Sequence, residues 1–203
     1  MSAAQLSTSK IQVEEGNIGT LTFKHLLTKL DIRMQGVDND AAQSWGKVQR
    51  IELIQAGGNN VQSKVTVTLA DGTATYPSSA TSSLKCYVMS VDGLGNKTYT
   101  DNVYVNQSVQ IPAAPSFTYM AYTITAPIIV SGNNDFKFRV YATGAVNGYV
   151  DVPVNLNQLI GAVGQNSVGK SYDVLFTFKV QNVEAQVNIV EWEAAGEVEE
   201  SII

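Results

Sequence analysis

Residues Gly164 to Ser171 read GQNSVGKS and satisfy the pattern G-x-x-x-x-G-K-[ST] at every fixed position. In that pattern the glycines let backbone N–H groups wrap a phosphate, the lysine reaches the terminal phosphates and the hydroxyl ligates magnesium. The chemistry needs a strand before the loop and a helix after it, because the helix N-terminus supplies the aligned donors. Here SYDVLFTFKV follows, with Tyr172, Val174, Phe176, Phe178 and Val180 alternating onto one face, the pattern of a strand. NLNQLIGAV precedes, with Leu156, Leu159 and Ile160 at helical spacing behind a possible Asn155 cap. Both flanks are the wrong element. The sequence predicts a glycine-rich connection into a strand, with a P-loop nucleotide site as the weaker reading.

Three other places hold residue types that do chemistry. The single histidine, His25, shares a strand face with Leu21, Phe23 and Leu27, and no nucleophile or orienting carboxylate is marked nearby; packing in or beside the core is expected. Asp38-Asn39-Asp40 spaces oxygens as a calcium loop does, but the glycine and distal glutamate of that loop are missing, which favours a solvated loop. Cys86 is the only cysteine, so no internal disulfide forms; in LKCYVMSV its neighbours are apolar on both faces, as around a buried free thiol. No G-x-S-x-G elbow and no H-E-x-x-H helix occurs in the chain. The sequence therefore predicts no catalytic residue, no metal ligand and no cofactor. The sequons at Asn96 and Asn106 are of a number that chance supplies in a chain rich in Asn and Thr.

The elements that position these residues are strands. Charged residues make up 15% of the 203, against an abundance of Thr, Ser, Asn, Val and Gly, a profile of β-rich exported proteins. A net charge of -5 with scattered lysines and arginines excludes a nucleic-acid role. No apolar segment is long enough to span a bilayer, and MSAAQLSTSK lacks the apolar run of an export signal. Leu21, Phe23, His25 and Leu27 hold one face, then Leu30, Ile32 and Met34 take the opposite parity, which predicts a bulge or face change at Leu26-Leu27. Val65, Val67 and Leu69 alternate before the turn signal Asp71-Gly72; DGLGNK and Asn147-Gly148 mark further turns, and SGNN another connection. About ten short strands and one short helix, at Asn155 to Val163, are expected. QIPAAPS, residues 110 to 116, is the candidate linker, dividing the chain into β-sandwich domains at 1–112 and 113–203.

Two stretches taken together resemble the fimbrillin-like proteins of Bacteroides-type bacteria, the type V pilins and Mfa-like surface proteins. LTFKHLLTKLDIRM, residues 21 to 34, is similar to that family's early strand; VGKSYDVLFTFKVQNVEAQVNIVEWEAAGE, residues 168 to 197, is similar to its closing hairpin. APIIVSG and YVDVPV fall where the family has middle strands. The resemblance implies an all-β fold of two transthyretin-like antiparallel sandwich domains, export by a lipoprotein signal, and display at the cell surface, in the outer membrane or a fimbrium. It implies subunits, of the same or another kind, that assemble by strand exchange, with host or bacterial surface ligands as further partners. No lipid-bearing cysteine lies near the N-terminus and no arginine precedes Leu21, so anchoring and proteolytic activation transfer to no residue of this sequence. The part before Leu21 is short, so the family's first strand is either missing or supplied by IQVEEGNI.

The expected function is thus structural or adhesive and non-catalytic. The tail GEVEESII, through Val198, Ile202 and Ile203, is the candidate donor strand. The alternative is a surface glycan-binding module using Trp45, Tyr119 and Tyr122 as stacking platforms, against which stands packing of those rings in the core. The parity shift from Val187 and Ile189 to Val190 and Trp192 predicts a buried Trp192. Lys170→Ala is expected to change stability by no more than about 0.5 kcal/mol. Isothermal titration of the wild type with magnesium-ATP should give no binding heat; tight binding that Lys170→Ala abolishes would reinstate the phosphate loop.

Overall fold

Residues alternating into and out of one core build nearly all of the fold. The computed structural model describes residues 2–5, 22–54, 61–68, 73–76, 83–104, 108–128, 136–154 and 167–190. Its elements in chain order are β1 (Ser2–Gln5), β2 (Thr22–His25), β3 (Thr28–Gly36), α1 (Asn39–Trp45), β4 (Lys47–Ile54), β5 (Thr66–Val67), β6 (Ala74–Thr75) and β7 (Ser83–Lys85). There follow β8 (Tyr87–Val91), β9 (Lys97–Tyr104), β10 (Val109–Gln110), β11 (Thr118–Thr125), β12 (Phe136–Ala142), β13 (Val150–Val154), β14 (Ser171–Phe178) and β15 (Val183–Val190).

Two sheets form a sandwich. One is six-stranded in the order β15-β14-β3-β11-β8-β9; the other is five-stranded, β10-β4-β12-β13, with β7 also on β4. Leu30, Ile32 and Met34 of β3, with Tyr172, Val174, Phe176 and Phe178 of β14, face Val48, Ile51 and Leu53 of β4 and Phe136, Phe138 and Val140 of β12. The layers meet where the Phe138 ring stands edge-on to Phe176, centroids 5.3 Å apart. Each fully buried phenylalanine contributes roughly 1.5–3 kcal/mol, so these facing rows dominate the stability of the sandwich.

The face change expected at Leu26-Leu27 is there: β2 ends at His25 and pairs with β1 in a separate ribbon, while β3 starts at Thr28 in the six-stranded sheet. Turns expected from glycine fall between paired strands. Asp71-Gly72 lies outside the described residues, but β5 and β6 on either side of it pair antiparallel. Asp92 opens the β8–β9 turn by accepting from the backbone N–H groups of Leu94 and Asn96, each at 2.9 Å. Between β12 and β13, Gly148 takes φ 75°, a left-handed conformation that suits glycine.

Four features depart from the sequence reading. Both sheets take strands from either side of the boundary expected at 112–113, and the described residues share a single core, so that boundary does not separate two sandwiches. The physical reason is that β3 pairs with β14 and β4 with β12, closing the core across the linker. The β3–β14 pair is also parallel in a structure otherwise antiparallel among its named strands. The helix lies at Asn39–Trp45; Asn155 to Val163 fall outside the described residues. Asp38-Asn39-Asp40 are exposed, as expected, but form a helix start rather than a loop: the Asp38 carboxylate accepts from Ala41 N at 2.8 Å and caps α1, which accounts for the spacing.

LKCYVMSV spans the end of β7 and the whole of β8. The chain leaves β4 after Lys85, passes through buried Cys86, whose N–H donates to Ile51 O at 3.0 Å, and joins β11 as β8. That switch between layers is why Cys86 has apolar neighbours on both sides. As expected, the thiol is free and buried, and burial pushes its pKa far up.

A single shared core predicts a single unfolding transition. Phe138→Ala should lower stability by about 3–5 kcal/mol and shift the whole urea curve together. Two separated transitions, one per half of the chain, would restore the division at 112–113.

Candidate functional site

On β3 the residues that alternate with the core row point the other way. Lys29, Asp31 and Arg33 therefore stand on the outer face of the six-stranded sheet, yet Lys29 and Asp31 are buried. In the parallel register Asp31 lies opposite Asp173 of β14, and on the other side Tyr122 of β11 lies opposite Asp31. Lys97 and Tyr99 reach in from β9. The Asp31 side chain is 0% exposed. Its Oδ2 accepts from Lys97 Nζ at 2.9 Å and from Tyr99 Oη at 3.2 Å, with Lys29 Nζ at 3.5 Å. Its Oδ1 has no hydrogen-bond partner among the described residues. Lys29 Nζ donates to Tyr99 Oη at 2.5 Å and lies 4.3 Å from the centre of that ring.

Asp173 is held differently. Arg33 Nε stands 3.1 Å from its Oδ1, an ion pair whose angle falls short of a hydrogen bond, and Tyr119 Oη donates to its Oδ2 at 3.3 Å. Burial raises the Asp173 pKa above the usual carboxylate value, and Arg33 opposes that shift; the negative charge of Asp31 reinforces it. Burial, with Asp173 adding to it, also raises the Tyr119 phenol. Aromatic rings enclose the charges: Tyr99 stands edge-on to Tyr122 at 4.9 Å, and Arg33 packs over Phe117 at 4.6 Å. Two carboxylates and three cations thus share one enclosed cluster. Among the described residues no group of three His, Cys, Asp or Glu is placed to hold a metal ion.

The aromatic platforms expected for a glycan are not free surfaces. Trp45 is 8% exposed; its indole N–H donates to Lys179 O at 2.5 Å and its ring meets Phe178 edge-on. Tyr122 is 7% exposed inside the charged cluster, and Tyr119 is half-buried against Asp173. Packing won over exposure because Trp45 has partners in the core and both tyrosines have partners in the outer-face cluster. His25 is half-buried at the end of β2, where burial lowers its pKa and Lys29 adds to the shift.

The end of the apparent phosphate loop is a structural joint. Ser167 to Lys170 form a turn that runs into strand β14, so no helix N-terminus follows. Ser167 is buried; its Oγ accepts from Ile128 N at 2.7 Å and contacts Thr28 Oγ1, while Gly169 N donates to Leu27 O at 3.2 Å. Gly169 takes φ 69°, and a Cβ there would come 2.8 Å from His25 O, so the glycine serves close packing. Residues Gly164 to Asn166, the tail with Val198, Ile202 and Ile203, and Trp192 lie outside the described residues.

A second feature had no signal in the sequence. Where the chain switches layers at Cys86, β8 covers β11 only at Ala121 and Tyr122. At Thr123 and Ile124 that edge of β11 has no strand partner among the described residues, and beyond them Thr125 Oγ1 donates to Gln62 O at 3.2 Å and Ala126 N to the same oxygen at 2.5 Å. Beside it is a cavity of about 240 Å³ lined by Ser63, Ser83, Leu84, Lys85, Tyr87, Thr123 and Ile124. It is smaller than the roughly 300 Å³ at which small-molecule sites begin, but it adjoins a strand edge.

Comparison with known proteins was made against this geometry. No protein-family description matches the sequence, and no curated protein matches it. Solved structures do match in fold. A candidate cell adhesion protein from Bacteroides uniformis superposes with a TM-score of 0.52 at 15% identity over 95% of this chain and 66% of that one. The two share a fold. Another candidate cell adhesion protein, from Bacteroides ovatus, gives 0.47 at 13% identity over 95% and 61% of the two chains. The tip fimbrial protein Mfa3 from Porphyromonas gingivalis gives 0.43 at 14% identity over 87% and 55%. The chain therefore spans less than two thirds of the length of each of these proteins.

The raised pKa of Asp173 has a stability consequence. The folded state binds this proton more readily than the unfolded state, whose carboxyl titrates near pH ~3.9. Its contribution is fully present below that value and is lost as pH rises through the folded pKa. Asp173→Asn should therefore gain on the wild type as pH rises across this window, read as the difference in urea midpoints. A difference that stays constant with pH would contradict the assignment.

Proposed function

We propose that this chain is a non-catalytic, structural or adhesive subunit of a bacterial surface assembly, joined to its neighbours by strand addition. The observation that carries the reading is the short stretch of β11 at Thr123 and Ile124, beside the cavity at the layer switch, that has no strand partner among the described residues. An unpaired edge is a template for an extended segment, whose backbone supplies the ladder while a pocket selects its side chains. Exposed Lys64 beside Ser63 favours an acidic segment. The fold shared with the Bacteroides uniformis protein supports a place at the cell surface, as does the resemblance of residues 21–34 and 168–197 to fimbrillin-like sequences. A fimbrium or the outer membrane is the location this reading implies, and other fimbrial subunits or further copies of the chain are its partners.

The donor on this reading is the acidic tail GEVEESII, with Val198, Ile202 and Ile203 as its apolar side chains. Each apolar group buried would contribute roughly 1.5–3 kcal/mol, against about 1–2 kcal/mol per residue to order the backbone. A donor this short assembles only on a preformed edge. The glycan reading is weaker, since Trp45 is packed in the core and Tyr122 is buried in the charged cluster on the outer face.

Deleting residues 197 to 203 should abolish polymer ladders on unheated gels while leaving the circular dichroism of the chain unchanged. Ladders that persist would assign the donor strand to another segment. A wild type that forms no ladder, alone or with co-expressed subunits, would end the strand-addition reading.

A further inference from the structure

The charged cluster places a lysine amine, an aspartate carboxyl and a second carboxyl together under aromatic cover, the arrangement from which an amide can form. We propose that Lys97 Nζ and Asp31 Cγ condense into an intramolecular isopeptide bond, with Asp173 as the proton-transfer partner. The inference is independent of how the chain assembles.

Three observations carry it. Lys97 Nζ is 2.9 Å from Asp31 Oδ2, with side chains 16% and 0% exposed, so the reacting groups already touch and water is largely excluded. Asp31 Oδ1 is buried with no hydrogen-bond partner among the described residues, an expensive state for an ionised carboxylate. Conversion to an amide removes both charges and that cost. Asp173 stands at the matching register position on the adjacent strand, near enough for its charge and that of Asp31 to interact. Lys29, the competing amine, is farther from Asp31 at 3.5 Å and is engaged with Tyr99.

The step balances within the chain. The Lys97 ammonium passes a proton to the Asp31 carboxylate it contacts, leaving a neutral amine against a neutral carboxyl group. The nitrogen lone pair bonds to Cγ, and the C=O π pair moves onto oxygen. As the carbonyl re-forms, a C–O bond breaks. Asp173 in its carboxyl form gives its proton to the departing hydroxyl, which leaves as water, and its carboxylate takes the surplus proton from nitrogen. One ammonium and one carboxylate become one amide and one water, and Asp173 is regenerated. No oxidant, metal or co-reactant enters. Burial that keeps Asp173 protonated to higher pH favours this role.

The bond would tie edge strand β9 to central strand β3, which the sheet order separates by β11 and β8. Such a tie blocks unzipping of that side of the sheet from its edge.

Mass spectrometry of the folded, full-length chain tests the proposal. The denatured chain should weigh less than its sequence by one water, and digestion should release a branched peptide joining the segments around Lys97 and Asp31. Lys97→Arg keeps the charge but cannot form the amide, and should restore the sequence mass; Lys97→Gln serves if that variant does not fold. Asp173→Asn should slow the mass loss after refolding at least tenfold, whereas a merely structural residue would alter the melting temperature and leave the rate unchanged. A folded wild type at its full sequence mass overturns the bond. A branch through Lys29 overturns the choice of nucleophile, and an unchanged rate in Asp173→Asn overturns the role of Asp173.

Discussion

The parallel pairing of β3 with β14 is the constraint on which the rest of the structure depends. It runs through eight register pairs from Lys29 and Ser171 to Gly36 and Phe178, joining segments from opposite ends of the chain. Every other strand of the six-stranded sheet is placed from this pair outward, β11, β8 and β9 on one side and β15 on the other. Its inward row supplies Leu30, Ile32, Met34, Tyr172, Val174, Phe176 and Phe178, the floor on which the second sheet packs. Closing so long a loop is entropically costly, although the cost grows only slowly with length. What holds it is the size of the apolar surface that the closure buries.

The same pairing creates a problem on its other face. A strand alternates sides, so a register that aligns the apolar rows also aligns Asp31 with Asp173. Two carboxylates side by side repel, and neither has water enough to be solvated. The chain answers with Lys29 and Arg33 from β3 itself, Lys97 from β9, and a tyrosine hydroxyl for each acid, Tyr99 for Asp31 and Tyr119 for Asp173. Such clusters specify an arrangement more than they stabilise it, because desolvation offsets most of the attraction. Here the specified arrangement is the register of the sheet: a slip of one residue would put Asp31 into the core and Leu30 or Ile32 outside.

What the sequence made legible was periodicity within single elements. Leu30, Ile32 and Met34 on one parity, the break at Leu26-Leu27, and Tyr172 to Phe178 as a strand after GKS could all be read from alternation. The core itself was harder wherever a backbone irregularity reset the phase. On β4 the register with β12 skips Gln49, so Val48, Ile51 and Leu53 point inward at a spacing that matches neither strand nor helix. At Cys86 the chain changes layers without a turn residue to announce it. The seven-residue helix is too short for a periodic signal, and Asp38 as its cap has the same letters as a loop. The Asp31, Lys97 and Asp173 cluster was invisible for a different reason: it joins residues from three distant segments, each of which by itself looks like the solvated face of an amphipathic strand. The linker at QIPAAPS misled in the opposite direction, since its prolines mark a change of direction between strands of one sandwich and not a boundary between two.

Strength in this sheet is unevenly distributed, and the charged cluster sits where the backbone ladder is weakest. On the β15 side every residue of β14 from Ser171 to Phe178 has a register partner. On the β9 side, β8 meets β11 at only two positions, and its register with β9 shifts between Tyr87 and Met89. A bulged, sparsely paired edge would fray first under load or heat, because few backbone bonds need to break. Lys97 and Tyr99 project from that edge to Asp31 on the central strand, beyond the two strands between them. The cluster therefore does laterally what the ladder does not: it fixes β9 to the most firmly held strand of the sheet, on the side of β11 where β8 pairs only at Ala121 and Tyr122. Side-chain bonds across the outer face thus hold this flank of the sheet where few backbone pairs do.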